Sequence, residues 1–269
     1  MTDRRISDVV AELRAIAARA EETRSRVGFF ATLYARVTAA VAARIREGFF
    51  EDGPRMERLD VMFADLYIEA VKRRLSGAGG VSRAWTVAFD ACDTREPIIL
   101  QHLYLGMNAH LLVDLPVAIA STISRGAFGA AKRDFLRIND IVAAEMNGFH
   151  DHLCAVSPRL AQWKRAADGL WTAGSKGILF VAREWAFRCA GTLAAAPEEE
   201  RGRLVDAFDR RAAAIGEKVV LRPRLGAGVF RAIRVEEMDD VQHIVRVLRG
   251  DRSGVSDERE GSQTTEADL

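Results

Sequence analysis

The chain has no pair of cysteines at metal or redox spacing: Cys92, Cys154 and Cys189 lie far apart and no CxxC occurs. This excludes a disulfide scaffold and a cysteine zinc site, and it predicts buried free thiols in a reducing compartment. There is no excess of either charge, with 39 Lys and Arg against 38 Asp and Glu, so nucleic acid is a poor partner. No strand-like alternation of any length and no internal repeat is found. GxSxG, HExxH, the Walker loop and GxGxxG before a strand are all missing. DDxxD is missing too, which argues against a terpene-cyclase-like enzyme. The first residues, MTDRRISDVV, lack the apolar run of a signal peptide, and the expected location is cytoplasmic.

What the chain does have is apolar periodicity at helical spacing. Its 269 residues are enough for a large core. Ser7 is placed to cap a first helix, followed by Val9, Leu13, Ile16 and Ala20. Further helices are expected from about Gly28 to Glu47, from Met56 to Arg74, and over Trp85 to Cys92. A long one follows from Lys132 to about Leu153. Others are expected over Ser175 to Leu193, Pro197 to Ile215 and Arg234 to Leu248, with a short extended piece at Val219 to Arg224. Residues 1–249 read as a single all-α domain, a multi-helix bundle around a central helix at about 97–123. Residues 250–269 are polar and read as a disordered tail.

The central helix carries the most information. Leu100 to Ile119 reads LQHLYLGMNAHLLVDLPVAI: apolar, yet holding Gln101, His102, Asn108, His110 and Asp114. Those polar residues make it too polar for a lipid-facing span, so a core helix is expected and no transmembrane segment. Pro97 is expected in its first turn and Pro116 to kink it. At about 100° per residue, His110 and Asp114 lie about 40° apart and can touch. On the third helix Asp60 falls on the apolar stripe of Met56, Phe63 and Tyr67, an unexpected place for an acid. On the helix after Lys132, Asn139 faces the core and Asp140 faces away.

Three chemistries fit. His110, Asp114, Asp60 and His102 could supply three or four ligands to a divalent metal (zinc, manganese or iron) that activates water or polarises a carbonyl. Without metal, a His–Asp pair could act as general base, the Asp orienting the imidazole; His110, Asp114 and His102 are the candidate catalytic residues. The third reading is a structural network that fixes helix register, in a non-catalytic binding or scaffold protein. Phe63, Tyr67, Trp85, Gln101, Met107, Asn108 and Asn139 would line the pocket. The expected ligand is a small or lipid-like molecule, and the expected chemistry hydrolysis or an acid/base rearrangement such as cyclisation or isomerisation. The His150–Asp151–His152 cluster reads as a solvated helix end, Asp239 and Asp240 as dipole-favoured acids at a helix start, and the four tryptophans as core or pocket wall.

RMERLDVMFADLY, SRAWTVAFDAC, LQHLYLGMNAHLLVDLPVAIA and DFLRINDIVAAE resemble, in this order, a family of uncharacterised bacterial and fungal proteins known only as a domain of unknown function. The resemblance covers about residues 50–195. It groups Asp60, Gln101, His102, Asn108, His110, Asp114, Asn139 and Asp140 in one motif set without assigning roles. HLLVDLP also resembles the H-x3-D step of the all-α, zinc-dependent phospholipase C and P1-nuclease family. That likeness implies metal ligation at His110 and Asp114. With five histidines in all and no N-terminal Trp, the chain could supply only a reduced version, with one or two metals.

Overall fold

The computed structural model describes residues 4–167, 169–220 and 227–250. The expected tail, apart from Gly250, therefore lies outside the described residues, as do positions 221–224 of the expected extended piece. In chain order the helices are α1 (Ile6–Glu22), α2 (Val27–Arg46), α3 (Gly53–Ser76), α4 (Arg83–Cys92), α5 (Ile99–Ala109), α6 (Leu115–Thr122), α7 (Phe128–Val156), α8 (Pro158–Ala167), α9 (Gly169–Ala195), α10 (Glu198–Val220), α11 (Ala227–Glu236) and α12 (Val241–Arg249). A π turn, His110–Asp114, joins α5 to α6. The architecture is the expected all-α bundle, with α5, the π turn and α6 at its centre, packed by α2, α3, α4, α9 and α10.

Several local expectations change. Ser7 lies inside the first turn of α1; the backbone N–H of Arg5 donates to Asp8 Oδ2 at 3.0 Å instead, so Asp8 ties down that end. Pro97 precedes the central helix, because α5 starts at Ile99. Val219 and Val220 continue α10 rather than forming a strand. Arg234 to Leu248 divides into α11 and α12, since Asp240 caps a fresh N-terminus by accepting from the N–H groups of Gln242 and His243. The cluster at 150–152 is no solvated helix end: α7 runs on to Val156, and His150 is buried. Of the tryptophans, Trp85 is buried, but Trp163 is 43% exposed. The three cysteines are free and only half-buried.

One helical stretch, Ile99–Thr122, is long and apolar enough to cross a membrane by length and composition, and 67% of its most apolar window is buried inside the protein. It is the core helix of the bundle. Gly106 lets α2 approach it closely: a Cβ there would stand 2.4 Å from Phe30 Cγ. The wide turn at its middle has a local cause. Pro116 has no N–H to give Leu112, and its ring crowds the preceding turn. The Leu115 N–H bonds back to His110 instead, five residues away, and the ladder absorbs the proline as a π bulge.

The helices are tied together by buried carboxylates that cap the N-termini of other helices. Asp134 of α7 is fully buried. Its Oδ1 accepts from Glu51 N (2.9 Å) and Arg137 Nη1 (3.1 Å), and its Oδ2 from Asp52 N (3.0 Å) and Arg55 Nη2 (3.0 Å). Asp209 of α10 accepts from Arg83 N and Ala84 N at the start of α4. Glu237 accepts from Ile99 N at the start of α5. Each places carboxyl oxygens on orphan N–H groups at the positive end of a helix dipole, although burial raises the Glu237 pKa to about 7.

Burial raises the Asp134 pKa, but its donors outweigh this and hold it below the ordinary carboxylate value. Its stabilising effect is therefore complete above the unfolded-state pKa and is lost as pH falls through the depressed folded value. Asp134→Ala should destabilise the fold by about 3 kcal/mol, read as a lower urea midpoint at pH 7. The gap to the wild type should narrow as the medium is taken below about pH 4.

Candidate functional site

The π turn presents His110 and Asp114 to the bundle interior, and its wide ring brings residues four apart close to one line. His110 Nδ1 lies 2.9 Å from Asp114 Oδ2, and Trp85 Nε1 donates to the same oxygen at 2.9 Å. The indole N–H can only donate, so Oδ2 is an acceptor. With Asp114 ionised, the imidazole donates from Nδ1 and leaves a lone pair on Nε2. Burial pushes the His110 pKa down against the opposing pull of Asp114. Burial likewise pushes Asp114 up, against its bonds from His110 and Trp85.

Aromatic rings hold this imidazole in place. Phe63 stacks on it at 3.6 Å with 8° between planes, and Tyr34 meets it edge-on at 4.3 Å. Phe30, Tyr67 and Trp85 stand within about 6 Å. Phe63 lies one turn after Asp60 on α3, so the helix that stacks on His110 also delivers the acid.

A cavity of about 70 Å³ opens beside His110, with Asp60, Tyr34, Phe63, Met107 and Arg183 in its wall. About 10–15 Å³ suffices for one water, so several waters or a small ligand fit. His110 Nε2, Asp60 Oδ2 and the hydroxyls of Tyr34 and Tyr67 are buried without a hydrogen-bond partner among the described residues. Such groups are rare and call for an explanation; those of His110, Asp60 and Tyr34 meet at this cavity.

Burial raises the Asp60 pKa to about 7, opposed by the charge of Arg183. Burial also lowers Arg183, to about 10, leaving it a cation at neutral pH. Arg183 is held by Asn139 Oδ1, which accepts from Nε at 2.6 Å, and by Phe135 O, which accepts from Nη2 at 3.1 Å; its guanidinium lies over the Phe135 ring. The cavity wall is otherwise almost wholly apolar.

The expected site residues sort as follows. Asp60, Phe63, Met107 and His110 line the cavity; Asp114, Trp85 and Tyr67 stand behind His110; Asn139 anchors Arg183. Asp140 is exposed, as the helical wheel gave. His102 is elsewhere: its ring meets Phe29 and its Nδ1 faces Cys92 Sγ at 3.9 Å, because two helical turns and about 80° separate it from His110. Burial takes its pKa to about 3 and that of the Cys92 thiol to about 12. Gln101 and Asn108 are not pocket residues. Gln101 ties the Val219 carbonyl to the Ile98 N–H, and Asn108 donates to the Ala212 carbonyl at 2.8 Å, joining α5 to α10.

The four named metal ligands are therefore not brought together. Among the described residues no group of three or more His, Cys, Asp and Glu is placed to hold a metal, and a guanidinium shares the cavity. Sequence reasoning missed Tyr34. Its only signal was the Phe30–Tyr34 pair, one turn apart in a helix apolar on most faces. Arg183 was not among the expected site residues.

Fold and site together define a class: an all-α bundle with a π-bulged core helix and a largely apolar cavity lined by the histidine of a buried His–Asp pair, an acid and an arginine. The chain belongs to a family of unknown function (DUF5995), which matches residues 6–222, wider on both sides than the motifs alone had indicated. No curated protein and no solved structure matches it, and the likeness to zinc-dependent phospholipases finds no support there.

His110 should behave as a neutral Nδ1–H imidazole at pH 7. In long-range proton–nitrogen NMR spectra its titration should lie below the ordinary histidine value of about 6.5, and Asp114→Asn should disturb its tautomer. A His110 that titrates at or above that value would contradict the geometry.

Proposed function

We propose that the cavity is an active site for metal-independent acid–base rearrangement of a small, largely apolar molecule bearing a carbonyl or carboxylate. The observation that supports this reading most is the gathering of unpartnered buried polar atoms, His110 Nε2 and Asp60 Oδ2 foremost, at an otherwise apolar cavity. His110 Nε2 would take a proton from the carbon next to the carbonyl. Asp60, with its pKa raised to about 7 by burial, would give its proton to the carbonyl oxygen. Delivery of the imidazolium proton to a different carbon, with the enol O–H proton passing back to the Asp60 carboxylate, completes an isomerisation with no net change in atoms. Asp114 holds the base in its tautomer and stabilises the imidazolium as it forms. Arg183 would bind an anionic end of the substrate. Met107 and Met146 in the wall are flexible enough to repack around a larger, lipid-like guest. Nucleic acid has no place in this reading.

A second reading keeps the binding and drops the chemistry. The continuous Trp85–Asp114–His110 chain favours it, since a purely structural network would be joined in the same way.

The test is deuterium incorporation, followed by proton NMR in heavy water, over a panel of small β,γ-unsaturated ketones and carboxylic acids. Exchange should be lost by about 10²–10⁴-fold in His110→Gln and in Asp60→Asn. In the wild type it should fall as pH rises through about 7, where Asp60 loses its proton, and as pH falls through the lowered His110 pKa. If no compound exchanges while some raise the melting temperature of wild type and His110→Gln alike, the binding-only reading replaces the enzymatic one.

A further inference from the structure

A separate cleft opens where the α1–α2 turn, the α4–α5 loop and the α11–α12 turn meet, lined by Arg24, Arg26, Arg95, Asp239 and Asp240. Two guanidinium groups here are preset by backbone oxygens: Arg26 Nη1 donates to the Cys92 carbonyl at 3.3 Å and Arg234 Nε to the Arg95 carbonyl at 2.7 Å. Arg234 also pairs with Asp239, a carboxylate that feels Arg26 and Arg95 as well. Asp240 is occupied in capping α12. The lining Arg24, Arg26 and Arg95 outnumber Asp239 and Asp240, and Asp239 is already paired with Arg234 behind the wall, so the cleft is net positive, the sign that an anion needs.

Arg24 adds an independent observation. Helix α1 ends in a Schellman turn: Ser25 N bonds to Ala20 O at 2.8 Å and Arg24 N to Glu21 O at 3.2 Å. The residue between must be left-handed, and Arg24 has φ 54°, the one positive-φ residue other than glycine among the described residues. Helices α2, α3 and α12 put Gly48, Gly77 and Gly250 at the corresponding place. Glycine takes that conformation without steric conflict and arginine does not. Helix-dipole compensation does not explain the choice, because Arg19 already supplies a cation in the last turn of α1. The strained arginine puts a further guanidinium on the rim of a cleft that already holds others.

We infer that this cleft is a binding site for a phosphate-bearing anion, distinct from the His110 cavity and built jointly by the family-matched region and the helices that follow it. Arg26 and Arg24 are the principal ligands, and the Asp239 carboxylate competes for the same donors.

Full-length protein is titrated calorimetrically with inorganic phosphate and with pyrophosphate at low ionic strength. It is also floated with phosphatidylcholine vesicles with and without phosphatidate, which separates a soluble phosphate from a lipid headgroup. Binding in either arm should weaken about tenfold in Arg26→Gln and in Arg24→Gly, strengthen in Asp239→Asn, and decline with added salt. Arg24→Gly should at the same time raise the melting temperature by relieving the strained turn, so its loss of binding cannot be a folding defect. No binding of either probe, or equal binding by wild type and all three variants, would overturn the inference.

Discussion

A polar group withdrawn from water must find a partner, and the helical rod from Ile99 to Thr122 imposes that requirement on everything packed around it. Its first N–H is met by Glu237, its Gln101 and Asn108 by backbone carbonyls of α10, and its Asp114 by Trp85 from α4. These bonds come from helices distant in sequence and fix how each sits against the rod. They also pin the π turn, since Asp114 is held from outside while His110 is held by stacked rings. The result is a core element in which His110 Nε2, left unsatisfied at the cavity, is aligned without freedom to turn.

The capping acids extend the same logic outward. Asp134 and Asp209 bridge from one helix to the N-terminus of another, and Glu237 does so from the α11–α12 turn. A bundle with many helix ends inside it has many orphan N–H groups, and a carboxylate satisfies two at once while complementing the dipole. Acids play two roles in this core. Where two or more donors converge, as at Asp134, the carboxylate stays charged and is structural. Where donors are absent, as at Asp60, burial raises the pKa toward neutrality and the group keeps a proton it can exchange.

The helical class, the central helix and the inward polar set were legible because they depend on periodicity and composition. His110 with Asp114 and Asp60 on the apolar stripe of α3 followed from angular spacing within one helix. The failures share a cause. Grouping His102 with His110, or reading Gln101 and Asn108 as pocket residues, required knowing which neighbour each helix face meets. Wheel geometry within one helix does not contain that. Tyr34 was hidden because α2 is buried on most of its surface, so no single stripe marks the face toward His110. Helix boundaries moved where a cap from elsewhere decided them, as at Asp240.

The helical class, the buried course of residues 99–122 and the presence of polar groups that would need partners there can be read from the chain alone. This holds because helix formation and burial are governed by local propensity and by the 3.6-residue period. Only the tertiary structure decided which of those groups would be satisfied and which left facing a cavity. Partnering depends on distances of about 3 Å between groups as far as 138 residues apart in the chain, and those distances exist only once the helices have packed.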